Sequence, residues 1–278
     1  MTQAKNSERF FAPDTMIWKV DREMVLLLAG GRALLMQLAH PKVAAGVAEH
    51  SHFKQDPLGR LHRTMSIMWS IVFDETADAR AALEKVKNTH RKVQGRTQPA
   101  EPLPPETPYT ALDAELLLWV HATLIDSAMM AYEFFVKPLT LEEKSRYYDD
   151  TKKMADLFDI PARIVPTSLS DFDCYMKQML VGGIIAVGPT ARSLAKEILH
   201  PRPLILKPAT PLMFLITAGF LPEPLRNSYG LHWNERNEKA LRRFTNMVRA
   251  LLPLVPVPLR IVPNARRAEK RIFRHRPD

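Results

Sequence analysis

The chain has 278 residues, 46% hydrophobic and 25% charged, with a formal net charge of +9. That is the composition of an ordinary globular protein long enough for one large core. A single cysteine, Cys174, excludes an intrachain disulfide and a cysteine-based zinc site and is compatible with a reducing compartment. With 10 glycines and 23 prolines, the expected product is a set of helices separated by proline stops.

In chain order, residues 1–20 read as an irregular arm. A helical pattern begins near Asp14-Thr15 or Asp21 and runs to Ala39, where His40-Pro41 ends it. A short helix follows over Lys42 to His50, then a loop to Gly59. Arg60 to Phe73 is helical in pattern, and Asp74-Glu75-Thr76 caps a helix from Ala77 to about Gln94 that Gly95 stops.

Pro99 to Pro108 is a proline-rich connection, read as a division of the chain, a long crossover or a lid. Thr110-Ala111-Leu112-Asp113 resembles a capping box and opens an almost wholly apolar helix to Val136. Thr140-Leu141-Glu142-Glu143 is a cleaner box opening a helix to Phe158. Further helices are expected at 171–180, 190–199, 209–220, 233–251 and 263–275. No repeat and no alternating strand stands out, and no run of 18 uncharged apolar residues gives a membrane span. The reading is one all-α domain of about ten helices over 21–262, followed by a basic tail over 263–278.

Nucleophile and phosphate motifs are absent: no G-x-S-x-G, no G-x-x-x-x-G-K, no G-x-G-x-x-G. Cys174 follows two acids, Asp171 and Asp173, that disfavour a thiolate. Two features offer chemistry. Arg60, Arg63 and Thr64 share one helix face by their i, i+3, i+4 spacing, and His90 falls in the apolar stripe of Leu83, Val86 and Val93. An imidazole turned toward a core is a candidate metal or haem ligand, and haem needs only one. The bland readings are a core histidine bonded to a carbonyl, and arginines paired with Asp56 or Asp74. His121, in the apolar Trp119-Val120-His121-Ala122, is a second candidate ligand, a supporting partner or a satisfied core group. His50 and His52, with Glu49 adjacent, form a loose group.

Taken as an ordered set, three runs resemble the oxygenase mpaB and latex-clearing-protein family. They are Arg32 to Pro41, His50-Ser51-His52-Phe53, and Asp56-Pro57-Leu58-Gly59-Arg60-Leu61-His62-Arg63-Thr64. His90 to Gly95, Tyr109 to Asp113 and Trp119 to Ala122 fit as well. The resemblance runs from about residue 20 to about 180. It implies a globin-related core holding haem b, with dioxygen as co-substrate. His90 would be the axial iron ligand, and Arg60, Arg63 and Thr64 the catalytic neighbourhood. The latex proteins carry a lysine where this chain has Arg63. A guanidinium stays protonated and is no practical iron ligand, so a lysine-capped state is not expected. The family's glutamate corresponds to Glu49 by position only.

The expected activity is thus a haem-dependent oxygenase acting on an apolar, isoprenoid- or lipid-like small molecule, with an unidentified electron donor. The alternatives are a helical haem or lipid carrier without turnover, a mononuclear metal hydrolase using His50, His52 and His121, and a structural membrane-associated helical protein. Seven Lys/Arg from Arg260 to Asp278 face only Glu269 and Asp278 with almost no aromatic interleaving. Nucleic acid is therefore not expected. Beside the apolar, proline-punctuated runs 204–221 and 251–262, those cations suggest a cytoplasmic protein in peripheral contact with an anionic membrane.

Overall fold

The computed structural model describes residues 8–51, 57–99, 102–200 and 208–274. Among the described residues there are fourteen α-helices and one two-stranded sheet, so the all-α expectation holds.

The N-terminal expectation needs revision. What reads as one long helix is three pieces: α1 (Met16–Asp21), a 3-10 stretch (Met24–Ala29) and α2 (Gly30–Leu38). The break at Arg22-Glu23 has a physical cause. Glu23 is buried and receives a two-pronged ion pair from Arg260, while Val262 N donates to the Arg22 carbonyl 2.9 Å away. Tertiary bonds thus replace helical ones at that point. Phe11, Met16, Ile17, Trp18 and Val20 are all buried, so the arm is packed into the protein.

α3 (Pro41–His50) begins at His40, whose Nδ1 accepts from Lys42 N, with Pro41 in the first helical position. α4 (Pro57–Phe73) and α5 (Thr76–His90) are joined by two residues and form the most extensively packed helix pair. β1 (Gln94–Arg96) and β2 (Pro108–Thr110) then pair antiparallel, Gly95 facing Tyr109.

α6 (Ala114–Phe135) follows. Its N-cap is Asp113, accepting from Glu115 N, rather than Thr110. By length and composition α6 could cross a membrane, yet it runs through the core, where Trp119, Ala131 and Phe135 are wholly buried. α7 (Leu141–Leu157) carries the expected Thr140–Glu143 capping box, and α8 (Leu169–Val181) has another from Ser168 and Asp171. The remaining helices are α9 (Pro189–Leu199), α10 (Thr210–Phe220), α11 (Glu223–Ser228), α12 (Glu235–Leu251), α13 (Val257–Arg260) and α14 (Pro263–Arg274).

α2 is the hub. Leu35, Met36 and Leu38 are fully buried, each stabilising by roughly 1.5–3 kcal/mol. Its last carbonyls receive the Trp119 indole (Met36 O, 3.2 Å) and the Tyr229 hydroxyl (Leu35 O, 2.7 Å). Gly31 lets α10 approach, since a Cβ there would lie 2.2 Å from Thr217 Oγ1. Arg32 is buried and fully used: it donates to Phe220 O, Ser127 Oγ and Asp126 Oδ2. The segment read as a basic tail is mostly α14, which packs on α4 through buried Ala265 and Ala268.

Candidate functional site

The α4–α5 hairpin decides where the chemistry-bearing residues meet. Counting back from Phe73 to Arg60 and forward from Thr76 to His90, each lies about 20 Å from the turn at 1.5 Å per residue. Arg60, Arg63, Thr64 and His90 therefore occupy the same open end of the hairpin. Arg63 and Thr64 are exposed there, and His90, in the last turn of α5, is half-buried. The side chain of Arg60 lies outside the described residues.

Burial lowers the His90 pKa and so keeps the imidazole neutral, the form that offers a lone pair to a metal. Among the described residues the ring has no hydrogen-bond partner. Of its expected stripe-mates, Leu83 is buried and Val86 half-buried, while Val93 lies beyond the helix end.

After His90 the chain turns into β1, bringing in the last turn of α3. The His50 ring bonds through Nε2 to Gln94 O at 3.0 Å. The Tyr109 hydroxyl donates to Glu49 Oε2 in a short bond. Gly95 makes that bond possible: a Cβ there would sit 2.5 Å from the Tyr109 hydroxyl and 2.7 Å from Glu49 Oε2. Burial, and then the Glu49 carboxylate, push the Tyr109 phenol pKa up, so it remains a donor. Glu49, Gly95 and Tyr109 line an open groove of about 540 Å³ with Gln94, Arg96, Gln98 and Pro108. Glu49 was placed by sequence position alone. Tyr109 and Gly95 lie in runs that carry the resemblance, but nothing in the sequence joins them to Glu49, because only the β1–β2 pairing brings them to α3.

His121 is elsewhere, midway along α6. Its Nε2 meets the Thr151 carbonyl of α7 at 3.1 Å, which fixes Nε2 as the protonated nitrogen. Burial lowers its pKa to about 4, with the carbonyl opposing. His40 is likewise lowered to about 4 by burial. His52 lies outside the described residues. Among the described residues no three His, Cys, Asp or Glu side chains are grouped to hold a metal ion.

A family model described as "ER-bound oxygenase mpaB/B'/Rubber oxygenase, catalytic domain" matches residues 18–250. Two mycobacterial proteins are each 27% identical over 229 residues, covering 80% of this chain and 87% of their own length. They are uncharacterized protein Mb2261 of Mycobacterium bovis and uncharacterized protein Rv2237 of Mycobacterium tuberculosis. No solved structure matches.

Proposed function

Because the chain belongs to the mpaB/rubber oxygenase catalytic-domain family, and is thus an oxygenase by family, we propose that it is a haem-dependent oxygenase acting on an apolar, isoprenoid- or lipid-like small molecule, with iron held by His90. The observation that carries this reading is the His90 imidazole. It is neutral by burial and without a hydrogen-bond partner among the described residues, at the hairpin end that also holds Arg60, Arg63 and Thr64.

That donor set fits haem b: one neutral imidazole for iron, two permanent cations and a hydroxyl. Haem bound there would supply the redox chemistry that activates dioxygen. The chain's own groups do the rest. Arg60 and Arg63 would pair with carboxylates of the bound group, and Thr64 would donate a hydrogen bond to it. Arg63, a guanidinium rather than an amine, would not serve as an iron ligand. Glu49, whose Oε2 accepts the Tyr109 hydroxyl, would offer its other carboxylate oxygen as an acceptor toward a bound substrate.

The hydrolase alternative has less behind it. His50 and His121 each commit Nε2 to a backbone carbonyl, leaving only Nδ1 as a lone-pair donor.

The test supplies the protein with hemin, a reductant, an isoprenoid alkene and isotopically labelled dioxygen. Label in the product that depends on hemin is the expected result. Tight hemin binding without oxygen uptake would establish the carrier reading instead. Retained zinc with no hemin uptake would establish the hydrolase.

A further inference from the structure

The end of α12 and the turn after it expose an apolar surface. Within thirteen residues, Met247 and Leu251 are 51% exposed, Leu254 77%, Val257 56% and Leu259 69%. No charged residue interrupts 250–259. Single exposed leucines need no explanation, but a contiguous group of five does.

The backbone here is also prepared for a medium poor in water. Pro253, Pro256 and Pro258 have no N–H to desolvate. The N–H groups of Val255, Leu259, Arg260 and Ile261 all donate within the segment, to Leu252, Pro256, Pro256 and Val257 carbonyls. Satisfying these donors internally lowers the cost of placing the turn in an apolar environment.

Cations flank the patch. On α12, Arg236, Arg243, Met247 and Leu251 fall on one stripe at helical spacing, basic at one end and apolar at the other. The first turn of α14 is held against the patch by Arg266 Nη1, which donates to Pro258 O at 3.0 Å. Arg267 and Lys270 are exposed on that helix, while Glu269 is spent on Arg22 and Trp18. Arg236, Arg243, Arg267 and Lys270 form no ion pair among the described residues.

We propose that this face docks on an anionic membrane surface. Met247, Leu251, Leu254, Val257 and Leu259 enter the headgroup boundary, and the four cations meet lipid phosphates. Shallow insertion of leucine and valine beside arginine and lysine is the chemistry of an interfacial anchor. A protein partner would have to match cations spread along two helices beside the patch. An anionic lipid surface does so at any orientation about the membrane normal.

The test is cosedimentation of the full chain with vesicles of phosphatidylcholine alone and of phosphatidylcholine with phosphatidylserine. Binding to the anionic vesicles, weakened by salt, is expected. The double variant Leu254→Asp, Leu259→Asp should bind at least about tenfold more weakly. Arg243→Gln and Lys270→Gln should each cost about fivefold on anionic vesicles and little on neutral ones. Because all four side chains are exposed, circular dichroism and Tm should match the parent. Failure of the parent to bind either vesicle would overturn the proposal, as would binding indifferent to these substitutions. A parent that light scattering shows to be dimeric, made monomeric by the leucine variant, would assign the face to a second copy and overturn it too. The readout involves no haem, so it stands or falls separately from the oxygenase reading.

Discussion

Gly95→Ala tests the groove directly. The new methyl would lie 2.5 Å from the Tyr109 hydroxyl, 2.7 Å from Glu49 Oε2 and 2.8 Å from Tyr109 Cζ. The ring has little room to retreat, since Tyr109 is buried and a Cβ on Gly46 of α3 would already stand 3.4 Å from it. Overpacking of this kind costs about 1–3 kcal/mol. Losing the hydroxyl–carboxylate bond adds about 1 kcal/mol, the low end of the range, because half-exposed Glu49 turns to water. At about 2–4 °C per kcal/mol, the sum of roughly 2–4 kcal/mol lowers Tm by roughly 4–16 °C in a thermal melt. Tyr109→Phe removes the nearest clashing atom. The double variant should therefore be more stable than additivity predicts, by about 1 kcal/mol. A Gly95→Ala protein melting within about 1 °C of the parent, or strict additivity in the double variant, would refute the packing argument.

Three further outcomes follow from buried groups. Arg32→Met leaves Asp126 beside apolar core, and because that carboxylate is almost a third exposed, the loss should be about 2–3 kcal/mol in urea unfolding. Asp21 is pushed up to about 7, first by burial and then by Asp150, against the Tyr147 hydrogen bond. Its folded form holds a proton that the unfolded chain has released, so its contribution is complete below about pH 4 and lost as pH rises through 7. Asp21→Asn should therefore raise Tm at pH 8 and leave it nearly unchanged at pH 4. His40 and His121, lowered to about 4, act in the opposite sense. Between pH 6.5 and 4 the unfolded chain gains two protons there against the one that Asp21 keeps in the fold. Stability should fall with acid over that window, and His121→Gln should flatten the slope.

The parts of this structure legible in sequence are those set by neighbours along the chain. Thr140 and Glu143 close a capping box that needs only four residues, and the 60–73 and 77–94 patterns mark two consecutive helices with Arg60 and His90 toward their outer ends. Asp113 and Thr110 compete as caps, and propensity cannot rank them; the winner is decided by where β2 releases the chain. The 14–39 pattern reads as one helix because apolar periodicity survives its breaks. The break at Arg22-Glu23 is imposed by Arg260 and Val262, more than 230 residues away. Three-residue strands across a proline-rich loop carry too few positions for alternation to register. The Glu49–Tyr109 pair and the Arg32 site each join residues 60 or more apart, and only packing creates them.

The central claim is that His90 holds the oxygenase's haem, and the absorption spectrum of the hemin-loaded protein beside His90→Ala and His121→Ala tests it most directly. The account predicts a strong Soret band in the parent, lost or shifted in His90→Ala and kept in His121→Ala, whose Nε2 serves the Thr151 carbonyl. A parent that takes up no hemin, or a His90→Ala spectrum identical to the parent's, would contradict it.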